Sequence, residues 1–161
     1  MTSFHTTRLV PHGAGEMFDL VADVESYPRF VPLCHALRVR RRDENPGKTT
    51  LIADMTVGYK AIRETFTSRV ICERAKLKIL VEYVDGPFKH LENLWVFHDR
   101  EEGKACVVEF YIRYEFKSQF LSAIMGGVFE TAFRKFTAAF EDRANIVYCN
   151  ARGAGNVIEK F

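Results

Sequence analysis

Asp85-Gly86-Pro87-Phe88-Lys89-His90-Leu91-Glu92-Asn93-Leu94-Trp95-Val96-Phe97 decides how the rest of the chain is read. Asp-Gly-Pro is a turn signal that closes one apolar run and opens the next. In that second run Leu91, Trp95 and Phe97 recur with period two, and the small polar Asn93 interrupts them. Residues two apart share one face of a strand, so these side chains form one wall. An aromatic wall with a single polar gap suits an ordinary core strand and the lining of an apolar cavity equally well.

Outward from this run the period of two persists for about eighty residues, from Leu33 to Phe116. The pattern predicts strands at Ala36–Arg42, Thr49–Val57, Ile62–Glu73, Lys76–Val84, His90–Asp99 and Ala105–Phe116. Asn45-Pro46-Gly47, Gly58-Tyr59, Glu73-Arg74-Ala75, Asp85-Gly86-Pro87 and Glu101-Glu102-Gly103 separate them with turn chemistry. Separators this short impose an antiparallel meander. In the last strand Val108, Phe110, Ile112, Tyr114 and Phe116 face one way and Glu109, Arg113 and Glu115 the other. Leu77, Ile79, Val81 and Tyr83 alternate in the same way with Lys76, Lys78 and Glu82, so one sheet face is apolar and one is wet.

Before the meander, a strand at Phe4–Val10 meets the breaker Pro11-His12-Gly13-Ala14-Gly15 and a helix at Glu16–Ala22. A second short helical piece lies between Pro28, suited to a first helical position, and Pro32, which forbids continuation. After the meander, Ser118 caps a helix running to about Tyr148, roughly 45 Å long at 1.5 Å per residue. Leu121, Ile124, Met125, Val128, Phe129, Ala132, Phe133, Phe136 and Phe140 form its apolar stripe. Such a helix has to lie along the apolar sheet face. Gly126-Gly127 in its middle predicts a bend, a close approach, or open space beneath. The fold class is α+β, with about seven strands, one domain over residues 1–149, and a mobile tail at 150–161.

Fourteen phenylalanines, six tyrosines and one tryptophan give an interior bulky enough to fill a core or to surround a flat ligand. The net charge of +2 does not by itself imply a nucleic-acid protein, and no DNA contact is expected. Cys34, Cys72, Cys106 and Cys149 are widely spaced, without a Cys-x-x-Cys pair, and read as reduced, mostly buried thiols of a cytosolic protein. The first residues lack the apolar segment of a secretory signal and the basic lead of a mitochondrial presequence. No run of about 18 apolar residues spans a bilayer, so membrane contact is expected to be peripheral.

The order strand, two short helices, six-strand meander and long C-terminal helix is the helix-grip arrangement. The chain resembles START-related domains of the polyketide cyclase/dehydrase superfamily, and within it the coenzyme Q-binding family. The residues that carry the resemblance are Val21-Ala-Asp-Val-Glu-Ser-Tyr27-Pro28-Arg-Phe30-Val-Pro32-Leu-Cys34, Thr65-Phe-Thr-Ser-Arg-Val70, Gly86-Pro-Phe-Lys-His-Leu91, Trp95-Val-Phe97 and Ala139-Phe-Glu-Asp-Arg-Ala144. They lie within residues 4 to 148. The resemblance implies a ubiquinone-binding carrier serving quinone biosynthesis and respiration, cytoplasmic and peripheral on the inner membrane surface. Some members of the family are ribosome-association toxins, so a ribosome-binding inhibitor is the alternative. An aromatic cyclase-type enzyme is the third reading.

The residues themselves supply no catalytic constellation. His12-Gly13-Ala14-Gly15 lacks an accompanying Gly-x-Ser-x-Gly elbow, and no phosphate loop is present. His5, His12, His35, His90 and His98 show no ligand spacing, so no metal is expected, and no cofactor beyond ubiquinone as a bound ligand. The expected cavity lining is Phe30, Met55, Val57, Phe66, Leu91, Trp95, Phe97, Phe110, Ile112, Tyr114, Met125, Val128 and Phe129, with Glu64 as a candidate contact for a polar head. Lys60, Phe88, Lys89, Phe120 and Leu121 are the candidate membrane contacts. Arg38, Arg40 and Arg42, read as one strand face, are the candidate ribosome contact, although a charged edge strand also serves simply to prevent aggregation.

Overall fold

The computed structural model describes residues 1–160, with side chains through Tyr148. The elements are β1 (Thr2–Val10), α1 (Ala14–Ala22), a 3₁₀ segment (Val24–Arg29), β2 (Cys34–Asn45), β3 (Lys48–Tyr59), β4 (Ile62–Glu73), β5 (Lys78–Asp85), β6 (Phe88–Arg100), β7 (Ala105–Phe116) and α2 (Gln119–Lys160). The seven strands form one antiparallel sheet in the order β1-β7-β6-β5-β4-β3-β2. Each meander strand therefore pairs with its successor, and β1 closes the far edge on β7. The helix-grip architecture expected from the alternation is the one observed.

Several boundaries differ from the sequence reading. Pro28 lies next to the last residue of its 3₁₀ segment, not first, and the bond from the Phe30 N–H to the Tyr27 carbonyl runs past it. β5 begins at Lys78 because Arg74–Lys76 form a 3₁₀ turn and Leu77 is left-handed, at φ 50°. The backbone of α2 is helical beyond Tyr148, as far as Lys160. The side chains of 149–160 and all of Phe161 lie outside the described residues, and so does the mobility expected for 150–161.

The apolar stripe of α2 lies across the concave sheet face. Phe129, Phe133 and Phe140 are buried there, against Phe116, Phe110, Tyr114 and Trp95. Ile124 leaves the stripe, at 40% exposure. Gly126 and Gly127 have nothing within 4 Å of where a Cβ would stand, and Gly127 faces outward. The open space implied by the glycine pair is thus outside the helix, not beneath it.

Polar ties fasten α2 beyond its middle. Arg8 pairs with Glu141 at 2.6 Å, His12 Nε2 donates to Asn145 Oδ1 at 2.7 Å, and the Tyr148 hydroxyl donates to the Glu16 carbonyl at 2.9 Å. His12 is fully buried, which makes the Pro11–Gly15 breaker a clamp on the helix. Gly13 also lets the breaker pack on the β6–β7 connection, because a Cβ there would lie 2.5 Å from the Gly103 carbonyl oxygen.

Gly13→Ala is expected to destabilise the protein by about 1–3 kcal/mol, as overpacking against fixed backbone does. Gly126→Ala, in open space on a helix, is expected to stabilise it by about 0.4–1 kcal/mol. Urea denaturation of the two variants measures both signs.

Candidate functional site

The cavity begins with two small side chains. Ala53 on β3 and Ser68 on β4 are cross-strand partners, both turned toward the concave face and both buried. Paired strands bring such side chains to about 5 Å, so two small residues side by side leave a gap no neighbour fills. The gap is about 90 Å³. Leu37, Met55, Phe66, Val70 and Val81 surround it on the sheet, with Phe88, Leu91, Asn93, Trp95 and Ile112 further round. Val24 and Tyr27 close one side, and Phe129, Phe133, Phe136 and Phe140 of α2 roof it.

Six of the residues expected to line a cavity are brought together here: Met55, Phe66, Leu91, Trp95, Ile112 and Phe129. The other seven are placed elsewhere. Phe97 stacks beneath Trp95 and meets Phe18 of α1 edge-on at 6.0 Å. Phe110, Tyr114, Met125 and Val57 are buried without reaching the cavity. Val128 lies on an outer groove with Tyr59, and Phe30 packs edge-on against Phe140 from the other side, at 5.0 Å. Glu64 is half-buried opposite Val57, on the concave face but off the cavity.

Phe88 corrects the expected membrane contact. It is 1% exposed, stacked on Phe116 at 4.9 Å and Phe129 at 6.0 Å, with Phe66 edge-on at 5.4 Å. Its backbone N–H donates to the Tyr83 hydroxyl at 3.1 Å. Leu121 is likewise buried, whereas Lys60, Lys89 and Phe120 are exposed.

The polar groups at the cavity are few, and those with described partners bond to protein. Trp95 Nε1 donates to Asn93 Oδ1, and Asn93 Nδ2 donates to the Tyr111 carbonyl, both at 2.9 Å. The polar gap in the Trp95 wall therefore anchors the indole. Tyr27 donates to the Val21 carbonyl. Burial, then the nearby Cys72, Cys34 and Asp23, holds its hydroxyl well above the usual phenol range, so it stays neutral. No carboxylate, imidazole, amine or thiol lines the cavity.

Cys34, Cys72 and Cys106 are free and buried, and Cys149 lies outside the residues with described side chains. Burial pushes the thiols of Cys34 and Cys72 up to about 11. Burial, with Asp99 and Glu16 nearby, takes Cys106 to about 12. Among the described residues no group of His, Cys, Asp or Glu is arranged to hold a metal ion.

The arginines of β2 do not share one face. The β2–β3 register shifts between Val39 and Arg41, so a bulge takes up Arg40. Arg38 then lies opposite Asp54, and Arg41 opposite Ile52. Arg42 lies opposite the buried Leu51 and turns to the concave side. Arg40 pairs with Asp54 at 2.6 Å, Arg41 with Asp43 at 2.9 Å and Arg42 with Glu25 at 3.1 Å. Burial opposes ionisation of Asp54, but hydrogen bonds from Thr67 and Arg40 and the charges of Arg40 and Arg38 outweigh it and hold its carboxyl below the ordinary range.

The family described as polyketide cyclase / dehydrase and lipid transport matches residues 10–141. The chain belongs to that family. The Escherichia coli protein named ribosome association toxin RatA is 36% identical over 148 residues, 92% of this chain and 90% of that one. The mitochondrial coenzyme Q-binding protein coq10 of Schizosaccharomyces pombe is 32% identical over 117 residues, 72% and 70% of the two chains. The solution structure of the 18 kDa protein CC1736 from Caulobacter crescentus is 35% identical, with a TM-score of 0.74 over 92% of this chain and 99% of that one. A START superfamily protein from Mycobacterium smegmatis, 17% identical, shares the fold at a TM-score of 0.75, covering 90% of this chain and 98% of that one.

Asn93→Leu is expected to cost about 1–3 kcal/mol, because it leaves the buried Trp95 N–H without a partner. Equilibrium unfolding followed by Trp95 fluorescence measures it.

Proposed function

We propose that the chain is a non-enzymatic lipid carrier that binds an isoprenoid quinone, ubiquinone in the first instance, between the sheet and α2. The observation that carries this reading is the chemistry of the cavity wall. It is aromatic and aliphatic, and among the described residues its polar groups are those of Tyr27, Ser68 and Asn93 and the Trp95 N–H. Such a wall favours a flat ring and an isoprenoid chain by roughly 25 cal/mol per Å² of apolar surface covered. It offers no acid or base to a cyclisation, which argues against the enzyme reading. The 32% identity to a protein named for binding coenzyme Q supports the same conclusion.

At about 90 Å³ the cavity is smaller than the roughly 150 Å³ that admits a benzene molecule. A quinone ring therefore enters only as the aromatic roof of α2 moves away from the sheet. The roof residues Phe129, Phe133 and Phe136 precede the polar ties at Glu141, Asn145 and Tyr148, so the part that must move is held by apolar contacts.

Ribosome association is the second reading, favoured by 36% identity to RatA across 92% of the chain. The expected arginine surface supports it less well, since Arg40 and Arg42, two of its three residues, already have carboxylate partners. The carrier reading stands first for that reason.

Organic extraction of the purified protein followed by mass spectrometry is expected to release a prenylated quinone. Ala53→Leu adds three carbons to the gap, and is expected to weaken quenching of Trp95 by added quinone at least tenfold while raising stability by about 1 kcal/mol. No co-purifying lipid together with no quenching in the wild type would sink the carrier reading. Loss of ribosome co-sedimentation on changing Arg38 and Arg40 to glutamate would put the second reading first.

A further inference from the structure

We propose that one end of the molecule, formed by the β3–β4 turn, the β5–β6 turn and the first turns of α2, docks on the surface of an anionic lipid bilayer. Three contacts place these segments together. The Lys117 N–H donates to the Pro87 carbonyl at 2.9 Å, which joins the start of α2 to the β5–β6 turn. Gly86 sits so close to β4 that a Cβ there would lie 2.6 Å from Phe66 Cβ. Tyr59 of the β3–β4 turn shares a groove with Gly127, Val128 and Thr131 of α2.

Apolar side chains collect at this end without cover. Phe120 is 73% exposed, Val84 48%, and Tyr59 and Ile124 40% each. Phe120 and Ile124 are four residues apart and share one helix face, which Gly127 continues. Of the contacts expected from sequence, Phe120 stays in this set, whereas Phe88 and Leu121 are turned inward and are replaced.

The charge around the patch indicates what covers it. Lys60, Lys89 and Lys117 are exposed at the tips of the same segments, and none is in an ion pair with a described residue. Lys60 lies over the Tyr59 ring, 5.3 Å from its centroid. Asp85 is exposed among them and Glu82 and Glu92 share a groove with Lys89, while Glu64 and Glu115 are half-buried further in. Unpaired lysines around exposed aromatic and aliphatic side chains fit the interface of a bilayer, where rings and chains enter the acyl boundary and ammonium groups meet anionic headgroups. A protein partner would satisfy the apolar groups but would have to supply acids to three separate turns. Phe129 and Phe133 of the cavity roof lie about one and a half and two and a half helical turns beyond Ile124, so the docked end adjoins the part of α2 that must move. The docking face rests on the carrier reading only for the identity of what is exchanged there.

Flotation with vesicles of phosphatidylcholine, with and without phosphatidylglycerol, tests the proposal on the full chain. The wild type is expected to float with the anionic vesicles, and less so as salt is raised. Phe120→Asp combined with Ile124→Asp is expected to lower that binding at least tenfold, with an unchanged melting temperature. Lys60→Glu, Lys89→Glu and Lys117→Glu are expected to cost about fivefold each on anionic vesicles. Tryptophan quenching by a short-chain quinone in solution should be retained in all of these variants. A wild type that does not float, or an aspartate variant that floats equally well, overturns the docking face. So does sedimentation showing a wild-type dimer that the same aspartate pair dissolves, since the patch is then covered by a second copy. Flotation without quenching upholds the docking face and removes the carrier reading.

Discussion

Trp95 of β6 meets Phe140 of α2 with ring centroids 4.9 Å apart, and Phe110 of β7 approaches the same indole at 4.7 Å. The remaining packing depends on this contact between one long helix and the floor of the sheet. A seven-strand sheet with a wet outer face has only its concave side to bury, and α2 is the element long enough to cover it. The indole stays in place because Asn93 accepts its N–H and is itself fixed to the Tyr111 carbonyl. A polar side chain within the apolar wall thus sets the rotamer on which the aromatic layer is built.

Most of the architecture was legible in the sequence, because period two and turn chemistry are local properties. The ranges read for β4 and β7 are those observed, and the other strands differ by one to three residues at their ends. Features set by distant partners were not legible. A bulge adds one residue without changing composition, so a period read straight through Arg40 put Arg42 on the wrong face. Phe88 follows a Gly-Pro turn and looks exposed in one dimension, but Phe66, Phe116 and Phe129 come from three other elements to enclose it.

The candidate cavity was half legible. Aromatic residues drew the reading toward the bulky walls, whereas the space itself comes from Ala53 and Ser68, whose inward alternation and small size are both plain in the sequence. Their pairing is a matter of register between two strands, and the two-residue turn at Lys60-Ala61 sets it. The glycine pair of α2 misled in the opposite sense. Gly126 and Gly127 suggested room beneath the helix, while the phenylalanines of the following turns are the ones that roof the cavity.

The three buried thiols carry a separate consequence for the proposed quinone ligand. A quinone is an electrophile and an oxidant, and both reactions with cysteine proceed through the thiolate. Cys34 and Cys72 flank the Tyr27 side of the cavity, yet with values near 11 they hold their protons at neutral pH, and Cys106 does so more firmly still. The same burial that packs the core keeps these sulfurs chemically silent. On the proposed carrier reading, a quinone ring could therefore be held beside these sulfurs without being captured by them.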